Sequence, residues 1–309
     1  MFHVPLNCPQ CSAPLPRVAI WRAVTCGFCG ALITRSESLV RRDTFRQALG
    51  RAKAALAFQG STVECAGVAY RIIGDMGISG ETGIYLACST GAHPYLATVK
   101  ISSDTGAASR FTREAEVLRQ LAAGIVSGLA LRLLPEVVAH GPVAVGGGRF
   151  ALVLRHPAGF WGSLADLNLR FPGGIDPRHA VWIWRRMLEM LHLVHGMGWA
   201  HGDIRPECAL VHPADHGILL IDWASAAQRG DARDRATDIS RSARVVMMLL
   251  AGAGPSMPST VPGTLSRLVS DAGGDVAFCE KHGATGLDSL LHDVAHEAFG
   301  PPAFVPLVL

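Results

Sequence analysis

Four cysteines near the start of the chain have the spacing of a metal-binding site. Cys8 and Cys11 form one C-x2-C pair, and Cys26 and Cys29 form a second pair after a gap of 14 residues. Four thiolates arranged as a tetrahedron suit Zn²⁺, which imposes no geometry of its own. The pattern therefore predicts a small structural zinc ribbon over residues 1–35, with every metal position filled by the protein.

Two other chemistries for these cysteines stay open. They could form two disulfides, although a cytoplasmic setting disfavours disulfides. They could include a redox C-x-x-C site, although no βαβ pattern follows. Zinc ribbons often serve as docking surfaces, so a protein partner, a nucleic acid or the rest of the chain could bind this one.

The composition indicates a globular protein without a strongly charged surface. The 309 residues are 49% hydrophobic and 17% charged, with a net charge of +3 and no dense run of Lys or Arg. A membrane surface is therefore not indicated, and a nucleic-acid partner is not favoured. No apolar run reaches the ~20 residues that cross a bilayer, and the first residues lack a signal-peptide pattern, so we expect a cytoplasmic protein.

The segments after the cysteines predict a helical linker and then an α+β domain. Residues 36–60 carry apolar residues at loosely helical spacing, with basic residues between them. From about Gly67 short strand patterns and glycine turns predominate. Helical patterns follow, and Asp176-Pro177 is a typical helix start. A strand-rich part before a helix-rich part is the α+β pattern.

Individual elements can be assigned within this domain. The predicted strands are VAYRIIGDMG, TGIYLACST, PYLATVKIS and two within LPEVVAHGPVAVGGGRFALVLRHP, and predicted helices include SRFTREAEVLRQLAAG and ATDISRSARVVMMLLAG. The stretch GDMGISGETG is predicted to be a turn between the first two strands, and the last 40 residues are predicted to hold two helices.

The polar motifs of this domain resemble those of the protein-kinase-like family in type and order. ATVK, REAEVL, HGDIRPEC, LLIDWA and TDIS follow one another within residues 67–255. The resemblance implies a bilobal fold for residues 61–309, preceded by the zinc ribbon. It implies a small antiparallel-sheet N-lobe over about 61–155 and a helical C-lobe over about 156–309, with conserved family side chains gathered around one nucleotide cleft.

Two residues of the N-lobe match the family's phosphate grip. Lys100 matches the strand lysine that holds the α- and β-phosphates of ATP, and Glu114 matches the helix glutamate that pairs with it. Glu116 is the alternative partner, but the family's spacing to the following Val117-Leu118 pair favours Glu114.

Three residues of the C-lobe match the family's transfer site. Asp203 matches the aspartate that orients the attacking hydroxyl and accepts its proton. Asp222 matches the aspartate that binds Mg²⁺, and Arg205 stands where a lysine usually meets the γ-phosphate. The resemblance also implies that Asp238 ties a helix to the catalytic loop and that His201 packs beneath that loop.

Two departures within the catalytic loop bear on activity. Cys208 stands at the cofactor-binding position where asparagine usually holds a second Mg²⁺, and a thiol is a poor ligand for a hard cation. Gly202 stands where many protein kinases have an arginine that clamps a phosphate on the activation loop. Because this arginine is missing, we expect that phosphorylation of the activation loop does not activate this chain.

Two further departures concern the surroundings of the site. Gly77, Gly80 and Gly83 recur every three residues rather than in the family's glycine-loop pattern, although their backbone could still cover phosphates. The interval from Asp222 to Asp238 is short and lacks the family's anchor motif, so a long platform for a protein substrate is missing.

The leading hypothesis is an ATP-dependent phosphotransferase, similar to an atypical Ser/Thr protein kinase, that acts on a hydroxyl group of a protein or small molecule. HGD and IDW also resemble small-molecule kinases of the aminoglycoside and choline type. The alternative is a pseudokinase that binds nucleotide or acts as a scaffold, with the ribbon as its docking module. A zinc-ribbon nucleic-acid binder is a third hypothesis, which the charge balance does not support.

Overall fold

The structure, a computed structural model, describes residues 60–125, 133–144, 147–157, 159–214, 216–228 and 231–309, and the backbone of residues 23–25 and 32–34. The four predicted zinc ligands and the linker helix up to residue 59 lie outside the described residues. The two short N-terminal strands, β1 (Ala23–Thr25) and β2 (Leu32–Thr34), pair antiparallel.

The chain divides into two compact units. The first, the sheet unit, comprises Met1–Ala115 and Glu136–Ala158, and the second, the helical unit, comprises Glu116–Pro135 and Gly159–Leu309. No helix in the described part of the chain combines the length and hydrophobicity needed to span a lipid bilayer.

The sheet unit is built on six strands. They are β3 (Thr62–Cys65), β4 (Val68–Ser79), β5 (Thr82–Ser89), β6 (Leu96–Ser102), β7 (Val137–Pro142) and β8 (Phe150–Arg155). Their spatial order is β3-β4-β5-β6-β8-β7, and every neighbouring pair is antiparallel. The five predicted strands are confirmed, whereas β3 was not predicted.

The two outer strands of this sheet also meet. Cys65 of β3 forms a single bridge with Val143, directly after β7, and the backbone N–H of Ala144 donates to the carbonyl of Glu64 at 3.1 Å. The sheet therefore closes on itself, which leaves little exposed edge. Buried apolar residues from all six strands form one cluster. Where a strand contributes more than one of them, they occupy alternate positions, as the period of two requires.

The glycine-rich stretch was predicted as a turn, and most of it is instead strand. β4 continues to Ser79 and β5 begins at Thr82, so only Gly80 and Glu81 remain between them. Gly80 has a φ of 59°, the left-handed conformation that a two-residue hairpin turn needs. Shifts in register between β4 and β5 absorb the irregular sequence.

One long helix, α1 (Ala107–Gly124), follows β6 and agrees with the predicted helix. One apolar face of this helix is buried: Phe111, Ala115, Leu118 and Leu121 are each 4% exposed or less. The boundary between the two units falls within this helix.

The described part of the helical unit contains five further α-helices and several very short strands. The helices are α2 (Leu164–Arg170), α3 (Pro177–Gly196), α4 (Ala232–Ala251), α5 (Gly263–Gly274) and α6 (Val276–Phe299). The strands β9 (Gly162–Ser163), β11 (Ala209–His212) and β12 (Gly217–Leu220) form one small sheet, and β10 (Trp199–Ala200) pairs with β13 (Ala227–Gln228).

Helix α3 starts as predicted, because Asp176 caps it and Pro177 occupies its first turn. Helix α4 starts at Ala232, earlier than the predicted segment at Ala236. The reason is a capping box in which Asp231 and Asp234 each accept a backbone N–H from the other. The two predicted C-terminal helices are present as α5 and α6.

Candidate active site

The sheet unit buries one lysine against one glutamate. Lys100 Nζ lies 2.9 Å from Glu114 Oε1 and 3.1 Å from Glu114 Oε2, and the two residues are 5% and 2% exposed. Glu116, the alternative partner, is exposed. The structure therefore pairs Lys100 with Glu114, as the sequence predicts.

Strand alternation explains how Lys100 reaches helix α1. Ala97, Val99 and Ile101 of β6 belong to the apolar cluster that the closed sheet surrounds. Because successive side chains of a strand point to opposite faces, Thr98 and Lys100 lie on the other face. A charged residue at this position can therefore face Glu114 without entering the apolar core.

A histidine that the sequence did not single out lies on the same face as Lys100. His156 follows β8, and its Nδ1 lies 3.0 Å from Thr98 Oγ1. Burial lowers the pKa of His156, so the ring is neutral at pH 7 and its hydrogen bond to Thr98 is between uncharged groups.

In the helical unit, Asp238 of α4 holds the backbone of residues 201–205, the loop that the resemblance implies to be the catalytic loop. Its carboxylate is fully buried and accepts the backbone N–H of His201 at 2.7 Å and that of Gly202 at 2.9 Å. His195 Nε2 lies 3.1 Å from the same carboxylate. A buried carboxylate with these partners is satisfied, and it fixes the residues that precede Asp203.

The neutral imidazole ring of His201 is hydrogen-bonded to the backbone of the loop. Its Nε2 donates to the carbonyl of Ile221 at 3.0 Å, and its Nδ1 accepts the backbone N–H of Asp203 at 3.3 Å. One nitrogen donates and the other accepts, which is the pattern of the uncharged imidazole. Burial also lowers the pKa of His201, so the ring is a structural support for Asp203.

The carboxylate of Asp203 is accessible and has a cationic neighbour. Arg205 Nε lies 3.0 Å from Asp203 Oδ2, and the two side chains are 48% and 36% exposed. A pair this exposed contributes little to stability. The carboxylate can therefore exchange Arg205 for an incoming hydroxyl group.

Asp222 lies two residues after Leu220, the buried last residue of β12. Its φ of 65° and ψ of 58° place it in the left-handed region, where aspartate is tolerated better than most residues. A non-glycine residue held in this conformation is strained, and such strain collects at functional sites. The backbone therefore fixes the direction of this carboxylate.

Cys208 contacts Asp222 within the helical unit. Its Sγ lies 3.7 Å from Asp222 Oδ2 and is the hydrogen-bond donor. Burial raises the pKa of the Cys208 thiol to about 12, and the negative charge of Asp222 adds to this rise. At neutral pH the sulfur therefore carries its proton and is not a thiolate ligand.

Gly202 has no room for the arginine that many protein kinases carry there. Its φ is 81°, and a Cβ atom would lie 2.6 Å from the carbonyl oxygen of Ser225. Any side chain at this position would force the backbone to move. The backbone conformation of this loop therefore explains why no arginine stands at position 202.

The predicted glycines differ in their surroundings. Gly77 lies in β4, where its N–H donates to Asp75 Oδ1 at 2.8 Å, and Gly83 lies in β5. Only Gly80 lies in the turn. Backbone N–H groups of these residues remain candidates for contact with phosphates, although they do not form one glycine loop.

The donors of the helical unit suit a magnesium ion better than a metal held by the protein alone. Among the described residues there is no group of three or more His, Cys, Asp or Glu side chains that could hold a metal. Mg²⁺ bound with a nucleotide takes one or two carboxylates and completes its shell with phosphates and waters. Asp222 fits that role.

The comparisons with known proteins identify the fold. No family model matches the chain. Citron rho-interacting kinase of Rattus norvegicus is 34% identical over 77 residues, which are 25% of this chain and 4% of that protein. The chain therefore matches only a small part of this curated relative.

Solved kinase domains match over most of the chain. The crystal structure of the Mycobacterium tuberculosis PknI kinase domain is 21% identical, covers 77% of this chain and 99% of that one, and has a TM-score of 0.56. A second crystal structure of the M. tuberculosis PknI kinase domain is 20% identical, covers 78% and 98%, and has a TM-score of 0.56. The chain therefore has the fold of a protein kinase domain, with an antiparallel sheet and a helical part as predicted.

Proposed function

We propose that the chain is an ATP-dependent phosphotransferase that transfers the γ-phosphate of ATP to a hydroxyl group. The observation that carries the proposal is the buried pair of Lys100 and Glu114. Removing both charges from water is costly, so such a pair needs a further reason to be retained. A fixed, charged ammonium suited to phosphate oxygens supplies that reason. The similar proteins reported above are kinases or kinase domains, which supports the same class.

Asp203 is proposed to act on the acceptor. It orients the acceptor hydroxyl and takes its proton as transfer proceeds. Asp238 holds the backbone just before this residue and His201 accepts its N–H, and fixed positioning supplies much of the rate in phosphoryl transfer. Arg205, beside Asp203, is proposed to face the phosphate that is transferred.

Asp222 is proposed to hold Mg²⁺ at the phosphates. When bound, the ion neutralises charge on the phosphate oxygens. Cys208 donates a hydrogen bond to Asp222 and supplies no ligand of its own, so we propose that Asp222 carries the metal without the second anchor usual in the family. Backbone groups near Gly77, Gly80 and Gly83 are proposed to cover the phosphates.

The four N-terminal cysteines are proposed to hold a structural Zn²⁺. Cys8, Cys11, Cys26 and Cys29 have the spacing for four thiolate ligands. The resulting ribbon is proposed to dock a protein partner, while the phosphate acceptor is a protein or a small molecule with a hydroxyl group.

The alternative is a pseudokinase that binds nucleotide or serves as a scaffold. Two observations favour it. Cys208 replaces an oxygen ligand with a protonated thiol, and the carboxylate of Asp203 is paired with Arg205. Either feature would slow transfer without preventing nucleotide binding.

A thermal-shift and turnover experiment separates these functions. The full chain is melted with and without ATP, in the presence of Mg²⁺ or Mn²⁺, and ATP consumption is followed with a general hydroxyl acceptor. Stabilisation with turnover supports the phosphotransferase. Stabilisation without turnover on prolonged incubation indicates a nucleotide sensor, and no stabilisation leaves only a scaffold.

A further inference from the structure

Helix α4 contacts the catalytic loop through a second charged residue. Arg241 lies one turn after Asp238, and its Nη1 donates to the backbone carbonyl of Gly202. Residues three apart on a helix lie on the same side, so both side chains can reach the same loop. Asp238 accepts N–H groups of the loop, and Arg241 donates to its carbonyl.

The peptide between Gly202 and Asp203 is therefore fixed at both ends. Its carbonyl accepts from Arg241, and its N–H donates to His201 Nδ1 at 3.3 Å. Because a peptide group is planar, holding its C=O and its N–H fixes its rotation. The direction in which Asp203 leaves the backbone follows from that rotation.

The loop needs this support at Gly202 in particular. The φ of 81° at Gly202 places its backbone against the carbonyl of Ser225, and glycine has more backbone freedom than any other residue. Without a contact at the Gly202 carbonyl, the peptide before Asp203 could rotate.

The other contacts of Arg241 do not suggest a different role. Within the part of the chain that the structure describes, no carboxylate pairs with it, and the Gly202 carbonyl is its hydrogen-bond acceptor. An arginine that contributed only surface charge would not be expected to donate a hydrogen bond to a backbone carbonyl of the catalytic loop.

We propose that Arg241 is a positioning residue, which holds the carboxylate of Asp203 in its working orientation through the Gly202 carbonyl. This inference rests on the proposed phosphotransferase function. It would make the orientation of Asp203 a permanent feature of the fold, because the arginine comes from the helix beneath the loop and its contact requires no modification of the chain.

The same helix provides a matched control. Arg244 lies one turn after Arg241, and its Nε donates to the carbonyl of Gly273 at 2.7 Å. Both arginines lie on α4, and each donates to a backbone carbonyl. The carbonyl that Arg244 contacts belongs to Gly273 of α5 and not to the catalytic loop. Arg244→Ala therefore removes a similar bond without touching the loop.

Two readouts test the proposal on the full chain. The first is hydrogen exchange of the peptide that contains residues 201–205, measured without nucleotide. We expect Arg241→Ala to speed its exchange about tenfold, and Arg244→Ala to leave it unchanged. The second is steady-state kinetics with ATP. We expect Arg241→Ala to lower kcat about tenfold with KM for ATP changed less than about twofold, and Arg241→Lys to recover part of the loss.

The outcomes separate this inference from the proposed function. Exchange at 201–205 that is the same in Arg241→Ala and wild type overturns the positioning role, as does an equal effect of Arg244→Ala. Absence of turnover in the wild type overturns the phosphotransferase but leaves the exchange result to decide whether Arg241 holds the loop. If a melt shows that Arg241→Ala does not fold, Arg241→Gln carries both measurements with the same expectations.

Discussion

The thiol of Cys208 donates a hydrogen bond to the carboxylate of Asp222, over an Sγ–Oδ2 distance of 3.7 Å. The cysteine is fully buried, and its pKa is raised to about 12. The thiol is thus a donor at the position where the resemblance implies a metal ligand, although a metal ligand must be an acceptor. In the proposed phosphotransferase this relationship would decide how strongly the metal is held.

Replacing Cys208 by asparagine should increase the rate of phosphate transfer. The carbonyl oxygen of Asn suits a hard cation, and its amide can keep the hydrogen bond to Asp222. We expect kcat to rise about tenfold or more, which corresponds to ~1.4 kcal/mol of transition-state stabilisation. Cys208→Ala is the control, since it removes the thiol without adding an oxygen and should give no gain. An unchanged kcat in a folded Cys208→Asn protein would argue against a missing metal ligand.

Breaking the buried ion pair should destabilise the sheet unit more than removing both charges. Lys100→Ala leaves Glu114 buried without its partner, which typically costs about 3–5 kcal/mol. The double variant Lys100→Met with Glu114→Leu should recover most of this loss, and both proteins should lose ATP binding. Urea denaturation measures the stability, and nucleotide titration measures the binding.

A salt bridge near the surface of the same unit is the control for this experiment. Glu136 pairs with Arg155 at 2.8 Å, but Glu136 is 59% exposed. Glu136→Ala should change stability by less than about 1 kcal/mol. If Lys100→Ala lowers the free energy of unfolding by no more than Glu136→Ala does, the prediction for the buried pair of Lys100 and Glu114 is wrong.

The buried histidines should make the protein less stable as the pH falls from 7.5 to 5.5. Burial lowers the pKa values of His156, His179 and His201 in the folded state. Below the ordinary value of 6.5 the unfolded chain binds protons that the folded chain does not. Their stabilising contribution is thus complete above that value and declines below it, by up to about 1.4 kcal/mol per pH unit for each histidine.

Denaturation at several pH values checks this prediction. His156→Gln keeps a hydrogen-bonding group beside Thr98 but cannot bind a proton in this range, so it should reduce the pH dependence by about one proton. A wild-type stability that does not fall between pH 7.5 and 5.5 would contradict the assignment of these rings as neutral.

Zinc analysis tests the prediction for the N-terminal cysteines. Four thiolate ligands should bind about one zinc per chain in protein purified without chelator. The double variant Cys8→Ser with Cys26→Ser should lose the metal, whereas Cys88→Ser, at a half-buried cysteine of β5, should retain it. Metal-free wild-type protein would remove the zinc ribbon from the account.

Features that depend on local pattern could be predicted from the sequence. The cap at Asp176 and the apolar faces of α1 and α3 follow from rules that act within one turn or one strand. The pairing of Lys100 with Glu114 was implied by the resemblance to the protein-kinase-like family, whose spacing to the following Val117-Leu118 pair favoured Glu114 over Glu116.

Features that depend on distant partners could not be predicted. Strand β3 is only four residues long, and its closing bridge from Cys65 reaches Val143, far along the chain. A side chain at position 202 would clash with the backbone carbonyl of Ser225, and this proximity exists only in the folded loop. Arg241 carried no signal in the sequence, since an arginine in a helix is usually a surface residue.

Transfer of labelled γ-phosphate from ATP by the wild-type chain and by Asp203→Asn tests the proposed phosphotransferase. We expect measurable transfer by the wild type, and a rate at least about 100-fold lower for Asp203→Asn at unchanged ATP affinity. Asp293→Asn, at a carboxylate that is 80% exposed, should behave as the wild type. A folded, ATP-bound wild type that transfers no phosphate, or an Asp203→Asn protein that transfers it equally fast, would contradict the account.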